Sequence, residues 1–136
     1  MAFDDMTVGQ TASIERVVSE NDVVLFADIT GDRNPVHLDA DVAAASRFGG
    51  RIAHGMLTAS CVSAVLGMKL PGPGTVYLEQ SLRFVRPVPL GETITAEVEV
   101  LELFPGKRRV RLATRCRNGA GELVLDGVAT VLVLDS

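Results

Sequence analysis

Apolar and polar residues alternate with a period of two along most of the C-terminal half of the chain. Between 75 and 86, Val76, Leu78, Leu82 and Phe84 share one parity. Between 93 and 101, Ile94, Ala96, Val98 and Val100 alternate with Thr95, Glu97 and Glu99. Between 108 and 117, Val110, Leu112 and Cys116 alternate with Arg109, Arg111, Arg115 and Arg117. This period predicts half-buried strands. The strands at 93–103 and 107–117 flank Phe104-Pro105-Gly106, so they form an antiparallel hairpin. Its outward faces are acidic on one strand and basic on the other, and cross-strand Glu–Arg pairing accounts for the arginine run; a phosphate-binding patch is the alternative. The segment 122–134 is apolar on both parities, with Gly127 placed for a bulge. Both faces of that strand need cover, which a small monomer struggles to supply, so dimerisation is expected.

The N-terminal half reads differently. TASIERVV (11–18) is a short strand. Ser19-x-x-Asp22 is a capping-box signal before the apolar positions Val23, Val24, Phe26 and Ala27, with Gly31 as a stop, which predicts a helix of about ten residues. GDRNPVHLD (31–39) is dense in turn formers, and Asn34-Pro35 imposes a non-helical bend. Asp39 caps a second short helix over roughly 40–47, before Gly49-Gly50. GMLTASCVSAVLGMKL (55–70) is apolar or small on every side, so as a helix it has no solvent face and must be enclosed by other structure. Pro71-Gly72-Pro73-Gly74 ends it. The architecture is α+β: a curled, mostly antiparallel sheet of about five strands around one long buried helix.

The 136 residues are read as one domain, 1–136, with 47% hydrophobic and 22% charged residues, which excludes a disordered chain. A net charge of −4 leaves no basic excess for a nucleic-acid backbone. The apolar run 56–70 is broken by Thr58, Ser60, Ser63 and Lys69 and falls short of a membrane span. Cys61 and Cys116 sit singly in apolar stretches and read as reduced, buried small hydrophobes. With no secretory signal in MAFDDMTVGQ, this predicts a cytoplasmic protein.

Chemistry can reside in few places. His37 and His54 are the only histidines. In Asp32-Arg33-Asn34-Pro35-Val36-His37 the proline bend can bring a carboxylate and an imidazole to one water. Their ordinary pKa values, ~3.9 and ~6.5, make one an anion and leave the other switchable near neutrality. Asp-x-Asn-Pro is equally a surface turn, and the spacing alone admits both readings. His54-Gly55 precedes the long helix, whose N-terminal amides can meet a developing oxyanion, with Gly55 allowing close approach. The His54 ring itself reads as a local loop contact. Asp28 is solvent-facing, and Asp39 and Asp41 have a capping role. No metal-ligand spacing exists, since His37, His54, Cys61 and Cys116 are remote in sequence, and Ser60 and Ser63 lack the context of a hydrolase nucleophile.

Together, FADITGDRNPVHLD (26–39), RIAHGMLTASCVSAVLG (51–67) and YLEQSLRFVRPVPLGETITAEVEV (77–100) resemble the MaoC-like (R)-specific enoyl-CoA hydratases. The nearest likeness is to the short bacterial enzymes that feed polyhydroxyalkanoate synthesis. The resemblance implies a hot-dog fold, with residues 31–50 as an overhanging hydratase loop and a homodimer joined edge to edge. It implies Asp32 and His37 as the catalytic pair and the Gly55 N–H as the group that polarises the thioester carbonyl. It further implies Asn34 and Ser63 as support for the pair, and an acyl pocket lined by Ser63, Leu66 and Val131.

The activity so implied is reversible hydration of a trans-2-enoyl-CoA to the (R)-3-hydroxyacyl-CoA, with no cofactor and no metal. Asp32 is assigned as base and His37 as orienter and donor, and the swapped roles are permitted. An acyl-CoA substrate and a second copy of the chain are the partners, with neither nucleic acid nor membrane among them. Arg47, Arg51, Arg83 and Arg86 are candidate phosphate contacts or plain surface charge. A hot-dog thioesterase, a dehydratase of carrier-protein thioesters and a non-catalytic subunit of a dehydratase complex remain as rivals.

Overall fold

A computed structural model describes residues 1–134. Six strands, β1 (Thr11–Val17), β2 (Thr75–Gln80), β3 (Arg83–Phe84), β4 (Thr93–Phe104), β5 (Arg109–Arg117) and β6 (Leu123–Val133), form one antiparallel sheet. Its order is β1-β4-β5-β6-β2, and β3 also pairs with β6. Four helices precede β2: α1 (Glu20–Thr30), α2 (Pro35–Leu38), α3 (Ala40–Ala45) and α4 (Gly55–Met68).

The alternation in the sequence becomes the two faces of the sheet. On β4, Ile94, Ala96, Val98 and Val100 are buried, as are Val110, Leu112 and Cys116 on β5. They pack with Ala59, Cys61, Val62, Val65 and Leu66 of α4 in one continuous core. Helix α4 lies on the inner face against β1, β2, β4 and β5. This is the hot-dog arrangement, a sheet wrapped about a central helix. On the outer face Glu97 stands opposite Arg115 and Glu102 opposite Arg111, and both pairs are ion pairs, at 2.9 and 3.3 Å.

The capping box forms as the sequence predicts: the Asp22 N–H donates to the Ser19 hydroxyl and the Ser19 N–H to the Asp22 carboxylate. Three expectations change. The 75–86 segment is two strands, broken at Ser81 and Leu82, which makes the sheet six-stranded. Strand β6 runs between β5 and β2, with Ala129, Val131 and Val133 buried on one face, while Val128, Thr130 and Leu132 on the other face are only half-buried in the single chain. Gly127 makes no bulge against β5 but keeps register opposite Thr114. Its missing side chain matters on the other flank, where a Cβ would sit 1.8 Å from the Ser81 carbonyl oxygen. Finally, α4 is not enclosed all round. Met56, Ser60, Ser63, Ala64 and Met68 are exposed within the single chain.

Candidate active site

The connection from α1 to α4 builds the site. Past Gly31 the Asn34 N–H donates to the Asp32 carboxylate (3.2 Å), and the Asn34 side chain accepts from the Val36 N–H (3.3 Å) as the cap of α2. Pro35 occupies the first position of that helix, where its fixed φ and missing N–H are no handicap. Asn34-Pro35 therefore starts a helical turn instead of the non-helical bend expected. Asp39 then caps α3, which ends at Ala45. The result is an exposed Asp32 beside a His37 that is only 8% exposed.

Both imidazoles are pinned through one nitrogen. His37 Nδ1 lies 2.8 Å from the Ile52 carbonyl oxygen, and His54 Nε2 lies 2.9 Å from the Asp32 carbonyl oxygen. A carbonyl can only accept, so each of those nitrogens carries the proton. The neutral His37 ring then has its lone pair on Nε2. The two rings stack at 3.9 Å, and Phe26 packs on His54 at 4.8 Å. The contact of His54 is thus not local to its loop: the ring is buried and holds the backbone of the residue that carries the carboxylate. Arg51 adds a second clamp, since Nε donates to the His37 carbonyl (2.7 Å) and Nη1 to Glu20 (2.7 Å).

One atom from each of Asp32, His37 and His54 lies within 4.8 Å of the other two. A water donating two ordinary hydrogen bonds spans roughly 4.5–5 Å between its acceptors, a length comparable to the separation of these three groups. Sequence distance had separated the histidines, and the fold joins them. The three residues could also be weighed as metal ligands, but Nδ1 of His37 and Nε2 of His54 are already committed to carbonyls. The His54 Nδ1 lone pair is buried without a partner among the described residues.

Gly55 opens α4 next to this cluster. The N–H groups of Leu57 and Thr58 both donate to the His54 carbonyl. Those of Gly55 and Met56 have no backbone partner among the described residues and are left as the open amides of a helix N-terminus. Phe84 lies over Gly55 so closely that a Cβ there would meet its ring at 2.8 Å. A cavity of about 270 Å³ reaches this point, with Val88, Val124 and Leu125 as apolar lining and Thr58 beside His37 and Gly55. Arg47, Phe48 and Arg86 line it as well.

Not every expected residue reaches the site. Ser63 is exposed on the outer side of α4, hydrogen-bonded to neither Asp32 nor His37. Leu66 and Val131 are 1% and 0% exposed in the main core, and neither lines the cavity. Their apolar bulk is taken up by helix-to-sheet packing, and the cavity beside His37 and Gly55 is lined by Thr58, Val88, Val124 and Leu125. Of the four candidate arginines, Arg51 serves the His37 turn and Arg83 pairs with Asp126. His54 and Arg51 were missed as positioning groups. Only the fold reveals them, because their contacts lie 22 and 14 residues away.

Residues 5–119 match the model of the MaoC like domain. The chain belongs to the MaoC-like domain family. It is 53% identical to a 3-hydroxybutyryl-CoA dehydratase of Methylorubrum extorquens, over 96% of this chain and 83% of that protein. It is 49% identical to an (R)-specific enoyl-CoA hydratase of Rhodospirillum rubrum, over 96% and 90%. The solved structure of R-hydratase PhaJ1 from Pseudomonas aeruginosa superposes with a TM-score of 0.94 at 51% identity, covering 98% of this chain and 86% of that one. The part of this MaoC-like chain that matches the family model contains Asp32, His37, His54 and Gly55, whereas Val131 lies beyond it. No helix among the described residues is long and apolar enough to cross a membrane.

Proposed function

We propose that this protein adds water reversibly across the double bond of a trans-2-enoyl-CoA, giving the (R)-3-hydroxyacyl-CoA. The observation that carries the reading is the Asp32–His37 pair, at a separation comparable to the span of one water and beside the open amides at the tip of α4. The identities to proteins named as an (R)-specific enoyl-CoA hydratase and a 3-hydroxybutyryl-CoA dehydratase support it, since these names describe one reaction in opposite directions.

In this reading the water donates one hydrogen to the Asp32 carboxylate and one to Nε2 of His37, which turns its lone pair toward C3 of the substrate. As the C3–O bond forms, one hydrogen passes to the pair and a proton is returned to C2 on the same face, so the elements of one water are added. The hydrogen bond at Nδ1 favours His37 Nε2 as the acceptor, with Asp32 orienting the water and stabilising the imidazolium. That is the swapped assignment of the two roles. Charge gathering on the thioester oxygen meets the Gly55 N–H, and a donor of this kind contributes roughly 3–4 kcal/mol.

The reading includes a homodimer. Strand β2 is the last of the sheet, and its Val76, Tyr77 and Leu78 are each 36–41% exposed. Pairing of β2 with a second β2 would continue the sheet and bring cover toward the open face of α4. Two free, buried thiols fit a reducing cytoplasm.

The test is a crotonyl-CoA assay that follows loss of the enoyl absorbance, with chiral analysis of the product and a thiol trap in parallel. Formation of (R)-3-hydroxybutyryl-CoA without thiol release is the expected result. Thiol release without loss of the double bond would mean a thioesterase.

A further inference from the structure

The cavity wall carries an unbalanced charge. Its lining contains two guanidinium groups, Arg47 and Arg86, and the imidazole of His37, but no carboxylate. This occurs in a chain whose net charge is −4, so the cavity is locally opposite in sign to the whole molecule. Five other arginines, Arg16, Arg33, Arg83, Arg111 and Arg115, each face an aspartate or glutamate. Arg47 makes no ion pair among the described residues. Its guanidinium rests over the Phe48 ring, 5.2 Å from the centroid, a contact that limits its conformers without spending its donors. Arg86 reaches Glu122 only at 3.5 Å, with its side chain 53% exposed. Two exposed rings, Phe48 and Phe84, flank the same opening.

A cavity lined by the Gly55 amide and by the His37 imidazole, with the Arg47 guanidinium and the loosely paired Arg86 guanidinium on the same wall, fits a ligand that is apolar and uncharged at its reactive end and multiply anionic at its other end. We propose that Arg47 and Arg86 bind the phosphate groups at the far end of a pantetheine-linked thioester, with Phe48 and Phe84 as apolar walls for the arm between. Planar guanidinium donors suit phosphate oxygens. The proposal rests on the thioester reading above and adds the subsite that selects the carrier.

The experiment compares three crotonyl thioesters that share one reactive end: crotonyl-CoA, crotonyl-pantetheine without phosphate, and a crotonyl carrier protein whose single phosphate is a diester. In the Arg47→Ala/Arg86→Ala variant the KM for crotonyl-CoA should rise about tenfold with kcat within twofold of the parent. The crotonyl-pantetheine kinetics should change less than twofold. Added KCl should raise the KM for crotonyl-CoA in the parent and hardly at all in the variant. Calorimetry with free coenzyme A gives the same comparison without turnover: a Kd weakened about tenfold supports the subsite, and an unchanged Kd overturns it. An equal loss on crotonyl-pantetheine also overturns it, and a loss confined to the carrier-protein substrate shifts the phosphate source to that protein and overturns the coenzyme A assignment. If the parent binds coenzyme A through Arg47 and Arg86 yet hydrates none of the three, the hydratase reading fails and the subsite stands.

Discussion

Two parts of the molecule are rich in arginine and use it in opposite ways. On the outer face of the sheet, Arg115 lies between Glu97 at 2.9 Å and Glu99 at 3.0 Å, and those two carboxylates hold the guanidinium above its ordinary pKa. At the cavity, Arg47 has an aromatic ring for a neighbour and no acid. The residue type is the same in both regions, and what separates them is whether the fold supplies a counter-charge. Arginine content therefore says little about ligands until pairing is known.

The comparison breaks most sharply at the two residues assigned to the reacting water, Asp32 and His37. Asp32→Asn or His37→Gln should lower the rate of crotonyl-CoA hydration by about 10²–10⁴-fold, the range expected for loss of general acid–base work. Thermal unfolding should hardly move, because Asp32 is exposed and the Nδ1 contact of His37 can be kept by the glutamine amide. Activity within tenfold of the parent in either variant would remove that residue from the mechanism. Gly55→Ala comes next. Its new Cβ meets the Phe84 ring at 2.8 Å, so the ring or the helix tip must shift, and a 10–100-fold loss in kcat is expected. Phe84→Ala in the same chain should recover part of that loss, since it vacates the colliding atoms.

A core substitution should behave in the reverse manner. Leu66→Ala removes a side chain that is 1% exposed, which costs about 2–5 kcal/mol of stability, read as the shift of a urea unfolding midpoint. The resemblance assigns Leu66 to the acyl pocket and implies wider chain-length acceptance in this variant. The packed position favours the stability loss as the dominant effect. A chain-length profile from crotonyl- to octenoyl-CoA, run on folded protein, separates the two.

How far the sequence was legible follows the same division. Strands β4 and β5 were readable because alternation is a local property that burial enforces residue by residue, as in Ile94, Ala96 and Val98. The capping box was readable for a similar reason, since its partners are three residues apart. The break at Ser81 was not, because β3 exists only through its pairing with Asp126 and Leu125 of β6. Within the site, Asp32, His37 and Gly55 lie in short motifs and could be singled out. The roles of His54 and Arg51 could not, as each depends on a carbonyl brought in by tertiary folding. Solvent exposure of Ser63 was likewise hidden, because the composition of α4 gives it no polar face to mark.

A smaller effect belongs to the N-cap of α1. Burial alone would raise the pKa of Asp22, but the Ser19 N–H, the Arg16 guanidinium and the Ser19 hydroxyl together hold it below its ordinary 3.8. A carboxylate whose folded pKa is depressed stabilises the fold above its unfolded pKa, and that stability fades as pH falls through the folded value. Asp22→Asn should cost about 1 kcal/mol at pH 7 by urea unfolding, the usual worth of a capping interaction. The gap between parent and variant should shrink below pH 4. A gap that is constant with pH would mean that the carboxylate charge contributes nothing.

The smallest effect is the one that tests the comparison itself. Arg115→Ala leaves Glu97 and Glu99 on one face of β4 without their shared cation, yet both are partly solvated, at 42% and 33% side-chain exposure. Water and salt therefore screen their repulsion, and the loss should be about 0.2–1 kcal/mol in low salt. Added KCl should narrow that deficit, because it weakens the pairing in the parent and the repulsion in the variant alike. The KM for crotonyl-CoA should stay within twofold, in contrast to Arg47→Ala/Arg86→Ala. If Arg115→Ala raised the KM as that double variant does, a guanidinium held between two carboxylates would be as available to the substrate as those at the cavity. The anionic end of the substrate would then be drawn by the general field of the protein instead of by a site.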